Sequence, residues 1–135
     1  MKKLILLLLT FGILFASSIK AETVLYCQSE FATGLIKKSG SWQVTSFERD
    51  RFTIKFNQGY TLLEGLTYTP MTCDAPYESI DIPERIFCVD EKYSRSTLRY
   101  NKVTKRFVHY FQPSSGYIGG SDDTDILYAG SCKVF

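Results

Sequence analysis

The sequence is poor in the residues from which metal centres and hydrolytic active sites are built. It contains one histidine, His109, and four cysteines, no two of which stand at a Cys-x-x-Cys spacing. It has no Gly-x-Ser-x-Gly or His-Glu-x-x-His motif, and no glycine-rich loop that would bind phosphate ahead of a helix. We therefore expect no metal site and no cofactor, and the absence of catalytic motifs favours a protein that is not an enzyme.

The sequence also lacks apolar residues at the helical spacing of three and four, and it has no internal repeat. Apolar and polar residues alternate instead. In RFTIKF, for example, Phe52, Ile54 and Phe56 fall on one face of an extended strand. The same alternation occurs in TVLYCQS, SWQVTSF, RIFCVDE, STLRYN, RFVHYF and DILYAGSCKVF. We predict an all-β fold, a single small antiparallel meander of about seven or eight strands that forms a β-barrel or a β-sandwich.

The chain begins with the pattern of a secretory signal peptide. Lys2 and Lys3 precede an apolar run at residues 4–15, and small residues follow at 16–18. The run is shorter than the roughly 18 residues that a membrane-spanning helix needs. We therefore predict cleavage and no membrane anchor afterwards.

Cleavage after Ala21 leaves a signal peptide at residues 1–21 and a single β domain at 22–135, with cleavage after Ser18 as the alternative. The short signal with its two lysines is of bacterial type, which predicts a periplasmic or secreted protein. Of 16 basic residues three leave with the signal, so the mature chain is close to neutral against its 14 acidic residues. This balance gives no sign of a polyanionic partner. We expect a monomer that binds no nucleic acid.

Four cysteines in an exported chain predict two disulfide bonds. Three pairings are possible, and the spacing alone does not choose between them. We favour Cys27 with Cys132 and Cys73 with Cys88, because a meander that closes on itself brings its first and last strands together.

One hairpin can be predicted in register. The polar residues 101–106 suit a turn between two alternating segments. The resulting cross-strand pairs are Tyr100 with Phe107, Leu98 with His109, and Ser96 with Phe111. His109 then points inward between aromatic residues, where a core histidine is a better interpretation than a general base.

The outward side of the same hairpin is basic. Its residues are interleaved with aromatics, as in surfaces that bind single-stranded nucleic acid or anionic glycans. Charged residues on a solvated strand face are, however, the ordinary means of keeping a sheet soluble. The candidate basic face comprises Arg95, Arg99, Lys102, Lys105 and Arg106, with Lys92 nearby.

An acidic segment lies between the second and third cysteines, in CDAPYESIDIPERIFC. Two prolines and a disulfide would stiffen this loop, which lowers the entropy lost when it docks on a partner. The alternative is a solvated connection. The candidate interaction loop comprises Asp74, Tyr77, Glu78, Asp81 and Glu84.

The stretch GGSDDTDILYAG, at residues 119–130, resembles the glycine- and aspartate-rich nonapeptide repeats of secreted calcium-binding β-rolls. Those repeats occur in tandem, whereas this stretch occurs once. It also carries Asp122 in place of the third glycine and Thr124 in place of the ligand aspartate. We interpret it as a polar loop leading into the last strand, with Asp122, Asp123 and Asp125 as the residues that would hold a weak calcium ion.

The predicted architecture and export resemble those of small periplasmic β-barrel or β-sandwich binding domains, including lipocalin-like barrels and inhibitors of cell-wall hydrolases. The resemblance is architectural and carries over no residue. We hypothesise a non-catalytic binding module that uses the acidic loop or an aromatic-lined barrel mouth to hold an unknown protein or small ligand. The alternative is a hydrolase acting on an envelope polymer or glycan, which requires carboxylates that converge in a cleft.

Overall fold

The protein is built from nine antiparallel strands and one short helix within the part of the chain that the structure describes. The computed structural model describes residues 21–74, 84–92, 96–112, 116–120 and 124–135, so the predicted signal peptide, Ala21 excepted, lies outside the described residues. No helix among the described residues is both long and apolar enough to span a membrane. The strands are β1 (Thr23–Lys38), β2 (Ser41–Ser46), β3 (Arg51–Phe56), β4 (Leu62–Glu64), β5 (Met71–Asp74), β6 (Arg85–Val89), β7 (Ser96–Asn101), β8 (Arg106–Phe111) and β9 (Asp125–Val134); the helix is α1 (Gly116–Gly119).

Eight of the strands close into a barrel, and β2 is added to it. From β3 to β9 each strand pairs with the next, and β9 pairs with β1 to close the ring. The other edge of β1 is shared, since residues 23–28 pair with β3 and residues 33–38 pair with β2. The predicted all-β antiparallel meander is confirmed, and the closure makes it a barrel.

The barrel has two ends that differ in their connections. We call the end where β1 begins the lower end and the end where β1 turns into β2 the upper end. Because neighbouring strands are antiparallel, β3, β5 and β7 end at the lower end, where β4, β6 and β8 begin. β4, β6 and β8 end at the upper end, where β5, β7 and β9 begin.

Inward-facing side chains fill the barrel below its middle. The ring of Phe56 stacks on Tyr100 with the centroids 5.5 Å apart, and both are fully buried. Apolar residues from six strands pack around this pair, which is the packing expected of a small barrel whose interior is a core. These residues are Leu25, Ile54, Leu63, Met71, Ile86 and Leu98.

Both disulfides join residues that lie directly opposite each other in neighbouring strands. Cys27 of β1 is paired with Cys132 of β9, and Cys73 of β5 with Cys88 of β6. The predicted pairing is confirmed. Two structural disulfides are consistent with an oxidising extracellular environment.

The hairpin of β7 and β8 has the predicted register. Tyr100 is opposite Phe107, Leu98 opposite His109, and Ser96 opposite Phe111. Arg99 faces outward between buried neighbours, while His109 is buried. The prediction that the histidine points inward is therefore confirmed.

Two glycines allow the closing strands β1 and β9 to approach each other. A side chain at Gly130 would overlap the carbonyl oxygen of Gln28, next to the bulge where the register shifts between Ser29 and Phe31. A side chain at Gly34 would overlap the carbonyl oxygen of Asp125. The seam of the barrel thus depends on positions that have no Cβ atom.

Replacing Gly130 with alanine is expected to lower the free energy of unfolding by about 1–3 kcal/mol, because the added methyl group overlaps backbone rather than a movable side chain. The matched control is Gly59→Ala. A Cβ atom there lies 3.7 Å from Cγ2 of Thr61, an ordinary contact. Urea unfolding of both variants measures the difference, and equal stability of the two would show that the seam tolerates a side chain.

Candidate binding site at the upper mouth

Aromatic residues and one histidine gather in the upper half of the barrel interior. They come from β3, β8 and β9, and each occupies an inward position of its strand. Alternation places them there, since each lies two or four positions from a core residue of its own strand. We call this group, together with Ser96 of β7, the mouth cluster: Phe52, Ser96, His109, Phe111 and Tyr128.

The histidine lies at the centre of the mouth cluster. Its ring stacks on Tyr128, with centroids 5.8 Å apart and planes 16° from parallel. Phe52 and Phe111 each lie 6.3 Å from it, centroid to centroid. His109 itself is only 6% exposed, whereas the three neighbouring rings are half-buried. The aromatic rings therefore present part of their surface at the upper end.

A buried hydrogen bond holds the histidine in place. Nε2 of His109 and Oγ of Ser96 are 2.7 Å apart. Burial lowers the pKa of His109 to about 4, and the negative charge of Asp50 opposes this effect in part. The imidazole is therefore neutral at pH 7, and Ser96 either donates to it or accepts from it according to the tautomer.

The serine and histidine do not have the properties of a catalytic pair. A general base works best with a pKa close to the operating pH, and the pKa of His109 is well below that. Ser96 is 1% exposed, so its hydroxyl cannot meet a substrate carbonyl without movement of the barrel wall. The pair is better suited to fixing the ring against which the aromatics pack.

Asp50 brings a carboxylate close to the mouth cluster. Its backbone N–H donates to Oγ of Ser29, which in turn donates to its carbonyl oxygen over 3.0 Å. These two hydrogen bonds attach the connection between β2 and β3 to β1. Asp50 is nevertheless exposed. Burial first and the charge of Asp50 second raise the pKa of Tyr128. The rim of the mouth is therefore acidic at this point.

Two further carboxylates at the upper end serve the connections there. Oγ1 of Thr69 donates to Asp90 over 3.3 Å, and the backbone N–H of Tyr117 donates to Oδ2 of Asp125 over 3.0 Å. Asp125 lies under α1, where any side chain at Gly116 would overlap its Oδ1. Both residues are buried.

The structure gives no support to a calcium site. Asp122 and Asp123 lie outside the described residues, and Asp125 is engaged with α1. No group of three or more histidine, cysteine or acidic residues converges within the described ranges.

Two described residues of the candidate acidic loop lie near residues of the candidate basic face. The backbone N–H of Lys102 donates to the carbonyl oxygen of Glu84 over 3.0 Å. Asp74, exposed at the end of β5, is opposite Phe87 of β6, and Phe87 is in turn opposite Arg99 of β7. The sequence offered no reason to expect these residues to be neighbours. Tyr77, Glu78, Asp81 and Arg95 lie outside the described residues.

The basic residues that the structure describes are spread over two locations. Arg99 lies on the outer wall with its guanidinium 5.6 Å from the centre of the Phe87 ring, and Arg106 is exposed on β8. Lys102 lies in the turn with its ammonium 5.3 Å from the centre of the Tyr60 ring, and Lys105 completes that turn with a positive φ of 59°. Cation–π contacts of this kind anchor the side chains to the barrel.

The sequence predicted that His109 points inward between aromatic residues, but it did not predict the hydrogen bond to Ser96 or the nearby Asp50. Ser96 was detectable, because in the predicted register it is diagonal to His109 on the same face. Asp50 and Ser29 were not, since their contact depends on how β1 is shared between β2 and β3. Comparison of the chain with protein-family models, curated proteins and solved structures finds no match.

Proposed function

We propose that this protein is an exported, non-catalytic binding module that holds a protein or small ligand at its upper mouth. One observation carries the proposal: three half-buried aromatic rings surround a buried, neutral histidine in the upper half of the barrel interior. Aromatic rings give large contact areas at little cost in side-chain entropy. Export to the periplasm or beyond is part of the same proposal.

The chemistry of the mouth favours an uncharged group of the ligand. The neutral imidazole offers no positive charge to an anion, and Asp50 places a negative charge on the rim. A planar or apolar group that stacks on Phe111 or Tyr128 fits these conditions. The barrel is a rigid support for such a site, because the rings come from paired strands rather than from loops.

Truncation of an aromatic ring at the mouth should therefore weaken binding. Phe111→Ala and Tyr128→Ala are each expected to reduce affinity by about 30-fold, the effect of losing a contact worth about 2 kcal/mol. The matched control is Phe31→Ala, which removes an aromatic ring that is 67% exposed on the outer wall. The immobilised mature protein is used to capture a partner from periplasmic extract, and calorimetry then gives the affinity of each variant for it. Retention of full affinity by both mouth variants would contradict the proposed site.

The hydrolase remains the alternative, and Asp50 is the residue that favours it. Its negative charge opposes the lowering of the pKa of His109 and helps to raise the pKa of Tyr128, so a carboxylate lies near the aromatic rings. If purified protein degrades a cell-wall or glycan substrate and Asp50→Asn abolishes that activity, the binding-module proposal is wrong.

A further inference from the structure

Strand β2 has an edge that no strand in the described part of the chain covers. It pairs with β1 on one side only, whereas β3, which continues below it along the same edge of β1, also pairs with β4. The six residues of β2, SWQVTS, contain no charge and no proline. Exposed strand edges normally carry charged residues or proline, because these residues prevent pairing with another chain.

The backbone groups that point away from β1 can be identified. Ser39 and Gly40 both have positive φ, so β1 and β2 are joined by a two-residue turn of type I′. Lys38 and Ser41, which flank this turn, form a hydrogen-bonded pair, and such pairs then recur at every second residue. The hydrogen bond from N of Phe47 to the carbonyl oxygen of Ala32 fits this alternation.

It follows that three residues of β2 direct their N–H and C=O groups to the uncovered edge: Trp42, Val44 and Ser46. The side chains of these residues lie on the outer face of the barrel. Their partners in β1 are Lys37, Leu35 and Thr33, which alternate with Ala32, and Ala32 is buried opposite the inward-facing Tyr128. Val44, in the middle, is 78% exposed. The edge therefore offers a backbone template with an exposed apolar residue at its centre.

We propose that two copies of this protein associate by antiparallel pairing of their β2 strands about a two-fold axis at Val44. A two-fold axis perpendicular to the sheet requires that residues paired across the interface point to the same face of the sheet. Because side chains alternate between the faces along a strand, two paired residues are then both even-numbered or both odd-numbered. Pairing Val44 with Val44 of the second copy, and Trp42 with Ser46 of the second copy, satisfies this condition. It also uses all the outward backbone groups of the three residues, which gives about six hydrogen bonds.

Charge favours a second copy of the chain as the occupant. Self-pairing of β2 opposes no like charges, because the strand is uncharged throughout. In the proposed register Glu48 of one copy lies opposite Gly40 of the other, beside Lys38 at the tip of the hairpin. Glu48 is therefore complementary in charge to Lys38 of the second copy.

The interface is small, so association should be reversible and depend on concentration. We expect a dissociation constant between about 1 and 500 µM for the mature protein, in the range of transient interfaces. This goes beyond the proposed ligand site and differs from the monomer expected from composition.

A charge exchange at the axis tests the proposal. Val44→Lys and Val44→Glu each place like charges directly opposite each other, so each alone is expected to be monomeric in sedimentation equilibrium across that concentration range. An equal mixture of the two is expected to form a heterodimer. Val44→Thr, which keeps a β-branched strand residue, should dimerise like the unchanged protein.

The matched control places the same two charges at Val103, a turn residue at the lower end that is 66% exposed. Val103→Lys and Val103→Glu, alone or mixed, should each associate to the same extent as the unchanged protein, because neither changes β2. If the unchanged protein stays monomeric up to 500 µM and the mixed Val44 variants do not associate, the proposal is overturned. It is also overturned if the unchanged protein dimerises and the single Val44→Lys variant does so equally well.

Discussion

Loss of the Cys27–Cys132 disulfide is expected to lower the free energy of unfolding by about 4–5 kcal/mol. The bridge joins residues 105 positions apart, and in the chain-entropy model a loop of that length removes much of the freedom of the unfolded chain. The loss approaches the whole stability of a small domain. Urea unfolding of Cys27→Ala/Cys132→Ala, compared with the unchanged protein, measures it.

The second disulfide provides the control. Cys73 and Cys88 are 15 positions apart, so Cys73→Ala/Cys88→Ala is expected to cost less, about 3 kcal/mol. Both pairs are buried and both connect neighbouring strands, which leaves loop length as the main difference between them. A larger loss from the second pair than from the first would contradict the entropic account.

Acidification is expected to destabilise the protein through its single histidine. In the unfolded chain His109 gains a proton as the pH falls through about 6.5, whereas in the folded barrel it stays neutral until about pH 4. The unfolded state therefore binds more protons in this window, and stability present above pH 6.5 is lost progressively as the pH falls to 4. The full loss is about 3 kcal/mol.

The measurement is urea unfolding of the mature protein at a series of pH values between 7 and 4. His109→Gln retains a hydrogen-bonding side chain beside Ser96 but does not titrate. The variant should be less stable at pH 7, and the difference in stability between the two proteins should shrink as the pH falls. Carboxylates contribute equally to both proteins and cancel in this difference. A difference that stays constant with pH would show that burial does not lower the pKa of this histidine.

The sequence predicted the β7–β8 hairpin in register because two features agreed. Each strand has six residues, long enough for the inward and outward positions to be distinguished, and the polar turn between them limits the possible pairings. The disulfide pairing followed from the closure of the meander. It did not follow from the spacing of the cysteines, which permits three pairings.

The sequence failed where an element was short or shared. β4 and β5 have three and four residues, too few to display alternation, and they were not predicted. SWQVTSF and RFTIKF read as two separate strands, yet β2 and β3 lie one after the other along the same edge of β1. That arrangement depends on β1 being 16 residues long, which no local pattern indicates, because a bulge interrupts its alternation.

The candidate site was likewise predicted from the sequence only in part. His109 and its aromatic neighbours are visible from alternation within predicted strands. The contact between Ser29 and Asp50 requires the shared edge of β1. The hydrogen bond between Lys102 and Glu84 requires knowledge of which strand ends lie at the same end of the barrel. Both are properties of long-range topology.

The bridge between the first and last strands has a mechanical consequence. Tension applied along the chain from outside residues 27 and 132 passes through the covalent bond between Cys27 and Cys132 and does not reach the hydrogen bonds of the strands between them. Among the described residues, only those before Cys27 and those after Cys132 can be peeled from the sheet by such a force. A load attached to either side therefore leaves the aromatic mouth in its unstrained shape for as long as this disulfide is oxidised.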